Sequence, residues 1–170
     1  MRLKTAAAAL VVPALLAACG GKRALTPPGA PPALRVAKNE VASVEAFATG
    51  TQAYACDASG RWRAGAPEAE LTDREGRTIG TVAAGPTWEA RDGGKVTGAL
   101  KAAEPGRTPA DLDWALFAAS SAPRRGSFGG TSSIQRMDTV GGSAPRASCN
   151  PGDETRVPYK ATYYFYRRAK

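Results

Sequence analysis

Val157-Pro158-Tyr159-Lys160-Ala161-Thr162-Tyr163-Tyr164-Phe165-Tyr166 is the stretch whose reading decides the fold. Successive side chains of an extended chain point to opposite sides, so Val157, Tyr159, Ala161, Tyr163 and Phe165 share one face. Aromatic and β-branched residues in this alternation predict a strand from Arg156 to Arg167 with that face in a core.

Working outward, the same period recurs between Gly, Pro, Asp and Asn punctuation. It predicts strands at Ser43 to Ala48, Thr51 to Asp57, Thr78 to Ala83, Thr87 to Arg91, Lys95 to Ala102, Leu112 to Ala119 and Ser132 to Asp138. Asp73-Arg74-Glu75-Gly76 reads as the turn before the third strand, and Asp92-Gly93-Gly94 as the hairpin turn between the fourth and fifth, where glycine supplies positive φ. Residues 110 to 119 contain helix formers, but Leu112, Trp114 and Leu116 alternate like a strand, and strand is the reading adopted. The expectation is one all-β domain over residues 41 to 170, an antiparallel β-sandwich or β-barrel with few short helices. Strand pattern alone leaves sandwich and barrel open.

Several of these segments, in order, resemble the family called domain of unknown function 3455. They are Ala48-Thr49-Gly50-Thr51-Gln52-Ala53-Tyr54-Ala55-Cys56, then Ala84-Gly85-Pro86-Thr87-Trp88-Glu89 with Asp92-Gly93, then Ile134-Gln135-Arg136-Met137-Asp138-Thr139 with Gly141-Gly142 and Ala144-Pro145, then Cys149, then Tyr159 to Tyr166. The resemblance spans about residues 41 to 167 and implies a secreted β-rich domain without an established activity. Members often carry His-Tyr before the Ala-Gly-Pro-Thr-Trp segment, where this chain has Val82 and Ala83, so histidine chemistry of relatives does not transfer. A malate dehydrogenase label given to some fungal members would require a glycine-rich phosphate loop opening a helix in a βαβ unit, and no such segment exists here.

The N-terminus reads as a bacterial lipoprotein signal over residues 1 to 18. Arg2 and Lys4 precede an apolar run from Ala6 to Ala18, followed by Cys19 and Gly20. As a helix that run spans roughly 20 Å, short of the roughly 20 residues a membrane span needs. Small residues at Ala17 and Ala18 admit a peptidase, and the Cys19 thiol can carry a lipid. Two or three acyl chains give stable anchoring, so the partner expected first is a membrane. Gly20, where Asp would retain the protein at the inner membrane, favours the outer membrane facing periplasm or surface. Thr26-Pro27-Pro28-Gly29-Ala30-Pro31-Pro32 favours extended polyproline conformation, and residues 19 to 40 read as a lipidated tether.

Lipidation of Cys19 leaves Cys56 and Cys149 in an oxidising compartment, where they are expected to pair. That bridge would be worth on the order of 4 to 5 kcal/mol in the chain-entropy view. The formal net charge is +8, with basic ends and an acidic middle. Lys22 and Arg23 would face anionic headgroups beside the lipid. Nucleic acid is not an expected partner of an exported lipoprotein whose cations form no binding module.

The chain contains no histidine, which excludes Ser-His-Asp, Cys-His and His-based zinc sites. Neither a Gly-x-Ser-x-Gly elbow nor a Walker loop is present. No metal, cofactor or catalytic residue is assigned. The best ligand-binding candidates are Trp88, Glu89 and Asp92, an aromatic face beside carboxylates. On a regular strand, however, Trp88 and Glu89 point to opposite faces, and a core Trp88 with a solvated Glu89 is the simpler reading. Trp62, Trp114 and the terminal tyrosines read as core and rim, and Ile134 to Asp138 as a strand with polar residues outward. Three functional classes remain: a lipid-anchored binding or interaction module with an unknown envelope ligand, a carboxylate-dependent glycan hydrolase, and a purely structural envelope protein.

Overall fold

The computed structural model describes residues 25–121 and 125–169. Eight strands follow in chain order: β1 (Glu40–Cys56), β2 (Trp62–Thr72), β3 (Thr78–Ala83), β4 (Thr87–Ala90), β5 (Lys95–Glu104), β6 (Trp114–Ser121), β7 (Thr131–Gly141) and β8 (Glu154–Arg168). Each pairs antiparallel with the next, and β8 returns to β1, closing an up-and-down barrel. The architecture is all-β with one 3-10 turn, Pro32–Leu34, and the barrel of the two open alternatives is the one adopted. Closure leaves no unpaired sheet edge along most of its circumference.

Two sequence expectations are corrected. Ser43 to Ala48 and Thr51 to Asp57 form one continuous strand, β1. Gly50 between them is not a break: a Cβ there would collide with the backbone of Glu68 and Ala69, so the glycine permits close strand packing. Strand β2 was not expected, because Gly65, Pro67, Glu68 and Glu70 mask its alternation, and its register with β1 shifts between Gln52 and Tyr54. Leu112 stands just before β6 and donates its backbone N–H to Gly141. Both expected turns are present: Gly76 N–H reaches Asp73 O across the β2–β3 turn, and Gly93 N–H reaches Ala90 O across the β4–β5 turn.

An eight-stranded barrel is just wide enough for side chains to fill it. Tyr159, Ala161, Tyr163 and Phe165 of β8 point inward, as the alternation predicts, and Trp88 lies at the centre with no exposed surface. Its ring meets Phe117, Tyr163 and Phe165 edge-on, with centroids 5.3, 5.7 and 6.3 Å apart. Gly98 on the neighbouring strand β5 makes room for it, since a Cβ there would lie 2.8 Å from the indole ring.

The other face of β8 is buried too. Residues 30 to 38, read from sequence as part of the tether, with the fold beginning near Leu34 or Val41, are seated as a strap on the outer wall. Leu34 is fully buried there against Leu116, Met137, Tyr164 and Tyr166. The Gln135 amide donates to Leu34 O at 2.6 Å, and the Tyr166 hydroxyl donates to the Gln135 carbonyl. Burial, with Glu40 nearby, pushes the Tyr166 hydroxyl up to about 12. Apolar residues that would otherwise face water explain the docking.

The two ends of the barrel are closed differently. At one end Cys56 and Cys149 are bridged, with Cα atoms 5.9 Å apart. There the Tyr54 hydroxyl donates to Gly142 O at 2.7 Å. The Asp111 carboxylate accepts from Gly141 N at 2.7 Å and from Thr108 N and Oγ1 at 2.9 and 2.8 Å. At the opposite end the β6–β7 connection folds inward and Phe128 plugs the opening, stacked on Phe165 at 4.3 Å.

Candidate functional site

The filled lumen leaves ligands only the outside of the barrel. The rim at the Phe128 end carries two arginines, Arg167 and Arg168. A groove of about 820 Å³ lies there between the end of β6 (Ser120, Ser121), the loop residues Gly126, Gly129 and Gly130, the start of β7 (Thr131, Ser132) and the end of β8 (Arg167, Arg168). These come from three separate sequence segments, which barrel closure brings side by side.

The loop is held from both sides. Asp92 accepts the Ser127 backbone N–H at 2.7 Å and the Ser127 hydroxyl at 3.4 Å. The Arg167 guanidinium donates to Ser127 O. Gly126 has φ +61°, and a Cβ there would run into the Asp92 carboxylate and Gly94 N; only glycine lets the two loops meet this closely. Thr131 Oγ1 donates to Phe128 O at 2.7 Å and closes the turn behind the plug. The Ser132 hydroxyl donates to Glu40, whose carboxylate also takes the Ser133 hydroxyl and Ala37 N–H.

Charge in the groove is one-sided. Among the described residues no carboxylate pairs with Arg167 or Arg168 at ion-pair distance, although eight such pairs occur elsewhere. Arg167 Nε is buried and has no hydrogen-bond partner among the described residues. Chemically the groove offers cationic forks and backbone amides to oxygen acceptors.

The sequence-derived candidates do not converge. Trp88 is in the core, its indole N–H without a partner among the described residues. Glu89 faces out and pairs with Lys95 at 2.6 Å, both half-exposed or more. Asp92 is at the plug end, where it clamps the Ser127 loop bordering the groove. Arg136, expected to point outward, lies on the inner side near the disulfide end, its guanidinium 5.9 Å from the Phe117 ring centroid and its Nε donating to Asp113 O at 3.0 Å. Gln135 does face out, but the strap buries it. Trp62 donates to Ala147 O at 3.1 Å, and Trp114 supports the Arg107 guanidinium at 5.7 Å. Cys19, Lys22 and Arg23, with the rest of residues 1 to 24, lie outside the described residues. Arg167, Arg168 and the Gly126 to Thr131 loop were not singled out from sequence. The signals available were the basic C-terminal third and the Gly-Ser-Phe-Gly-Gly run.

Elsewhere a second carboxylate sits in the outer wall. The Glu45 side chain is 7% exposed beside Arg74 and faces Tyr164, whose hydroxyl is pushed up first by burial and then by Glu45. At the disulfide end Asp57 is held well below the usual carboxylate range, chiefly by the Ser59 hydroxyl and Arg63.

No curated protein and no solved structure matches the chain at a significant level. A family model described as "Protein of unknown function (DUF3455)" matches residues 36–167. That span covers nearly all of the barrel and the end of the strap, and the motifs that carry the resemblance occupy its strands and the turns between them. The chain therefore belongs to the DUF3455 family.

Proposed function

We propose that the protein is an exported, lipid-anchored binding module of the bacterial cell envelope, holding its ligand in the rim groove rather than in the barrel lumen. The observation that carries the reading is the pairing of Cys56 with Cys149. Such a bridge is the chemistry of an oxidising compartment, and it leaves Cys19, at the end of the N-terminal signal, as the third and unpaired cysteine. Gly20 after it favours the outer membrane. The filled core supports a binding role on the surface, because the lumen holds Trp88 and its aromatic neighbours instead of a cavity.

The hydrolase reading required two acids held a few ångströms apart across a cleft. Glu89 is bound to Lys95, Asp92 to Ser127, and Glu40 to Ser132 and Ser133, so these carboxylates are committed to the fold. No specific observation favours it.

The test is native mass spectrometry of the protein extracted from its own membranes in mild detergent, followed by denatured mass with and without reductant. A lipidated Cys19, a reductant-sensitive Cys56–Cys149 bridge and a co-purifying non-covalent mass are expected. A chain without acyl groups refutes anchoring, and a bare lipidated chain shifts the protein toward a structural role.

A further inference from the structure

We propose that the rim groove binds a phosphate group, with Arg167 and Arg168 as its cationic contacts; this rests on the reading of the groove as the ligand site. Arg167 is tied to the fold through one guanidinium nitrogen, which donates to Ser127 O. Its Nε is closed off from solvent and has no partner among the described residues, so a ligand in the groove meets the terminal nitrogens of the guanidinium instead. Guanidinium has donors only, so the group that two neighbouring arginines would take there is an oxygen acceptor, and an anionic one.

Arg168 follows on the same strand at the groove's edge, exposed and without an ion pair among the described residues. Arginine's planar fork matches phosphate oxygens two at a time. Gly126, Gly129 and Gly130 also line the groove, and Gly130 lies against the stem of Arg167. Among the described residues, the two carboxylates that hold the loop and the start of β7 are already engaged: Asp92 is turned to Ser127, and Glu40 to the Ser132 and Ser133 hydroxyls and Ala37 N–H. A volume of about 820 Å³ exceeds what one phosphate fills, so the groove suits a phosphate ester carrying a further group. That chemistry has two sources, a phospholipid headgroup or a free phosphate compound.

The experiment uses the full chain carrying Cys19→Ser, so that acyl insertion cannot imitate headgroup binding. Inorganic phosphate and acetate are titrated separately by calorimetry and by amide NMR, and phosphatidylglycerol and phosphatidylcholine vesicles by co-sedimentation. Saturable phosphate binding that shifts the Gly129 and Gly130 amides, with Arg168→Gln weakening it at least about tenfold, supports the proposal. Binding to phosphatidylglycerol vesicles alone, lost in Arg168→Gln, supports it with a headgroup as the source. Arg156→Gln, an arginine paired with Glu68 far from the groove, should change neither. Acetate binding as tightly as phosphate, binding unchanged by Arg168→Gln, or no saturable binding of phosphate or vesicles overturns it. A co-purifying ligand without phosphate would overturn this assignment while leaving the binding-module reading intact.

Discussion

The two ends of this barrel solve the same problem with different chemistry. At the disulfide end a covalent bridge joins the end of β1 to the β7–β8 connection, and the Asp111 carboxylate ties Gly141 to Thr108. At the other end an aromatic ring is inserted into the core and held by glycine-mediated loop contact and an Asp92–Ser127 clamp. A covalent closure fixes the chain whatever else binds there. A packed closure leaves backbone amides and arginines at the surface, and the groove of about 820 Å³ lies at that end, against one of about 630 Å³ beside Tyr54 and Arg156 toward the disulfide.

The largest effect expected comes from removing the bridge. Cys56→Ser with Cys149→Ser opens a loop with a sequence separation of 93 and should cost about 4 to 5 kcal/mol, read from the urea midpoint against wild type with and without reductant. A cost under about 1 kcal/mol would mean that the disulfide end is held by its hydrogen bonds instead. Phe128→Ala, which empties the fully buried plug, should cost about 3 to 5 kcal/mol and broaden the Gly129 and Gly130 amide resonances. An unchanged midpoint would break the contrast between the ends.

Gly126→Ala tests whether the plug end depends on backbone approach. With φ at +61° and no room beside Asp92, it should cost about 1 to 3 kcal/mol and displace Ser127 from Asp92. The smallest effect is in acid. Three donors, Gly141 N–H foremost, hold the Asp111 carboxyl below its ordinary value. A lowered folded-state value means that stability is gained above the unfolded value, about 3.9, and lost as pH falls through the folded one. The stability gap between wild type and Asp111→Asn should therefore narrow as pH drops below about 4. A gap independent of pH would assign Asp111 no ionised role.

Alternation in β8 disclosed its inner face, and Asp-Gly chemistry disclosed the β4–β5 turn, because both are local signals. Strand β2 was hidden, since a shifted register and residues such as Pro67 and Glu68 erase period two. The second buried face of β8 was hidden for another reason: Tyr164 and Tyr166 are covered by Leu34 from far upstream, and no local pattern announces a remote cover. Asp92 was noticed as chemistry and proves to be a clamp. Arg167 and Arg168 were read only as part of a basic C-terminal third, because their groove exists only once the end of β8 lies beside β7 and the end of β6.

Under the proposed anchoring at Cys19, the strap sets the protein's working radius. Had residues 19 to 40 hung free, the leash from Cys19 to the barrel could have extended roughly 75 Å. With Ala30 packed on the wall, the slack from Cys19 falls to roughly 40 Å at full stretch, and it departs from the side of the barrel rather than from either end. A lipid at Cys19 would therefore moor the barrel alongside its membrane like a boat on a short side line, with the groove's distance from the headgroups set by where the strap lets go.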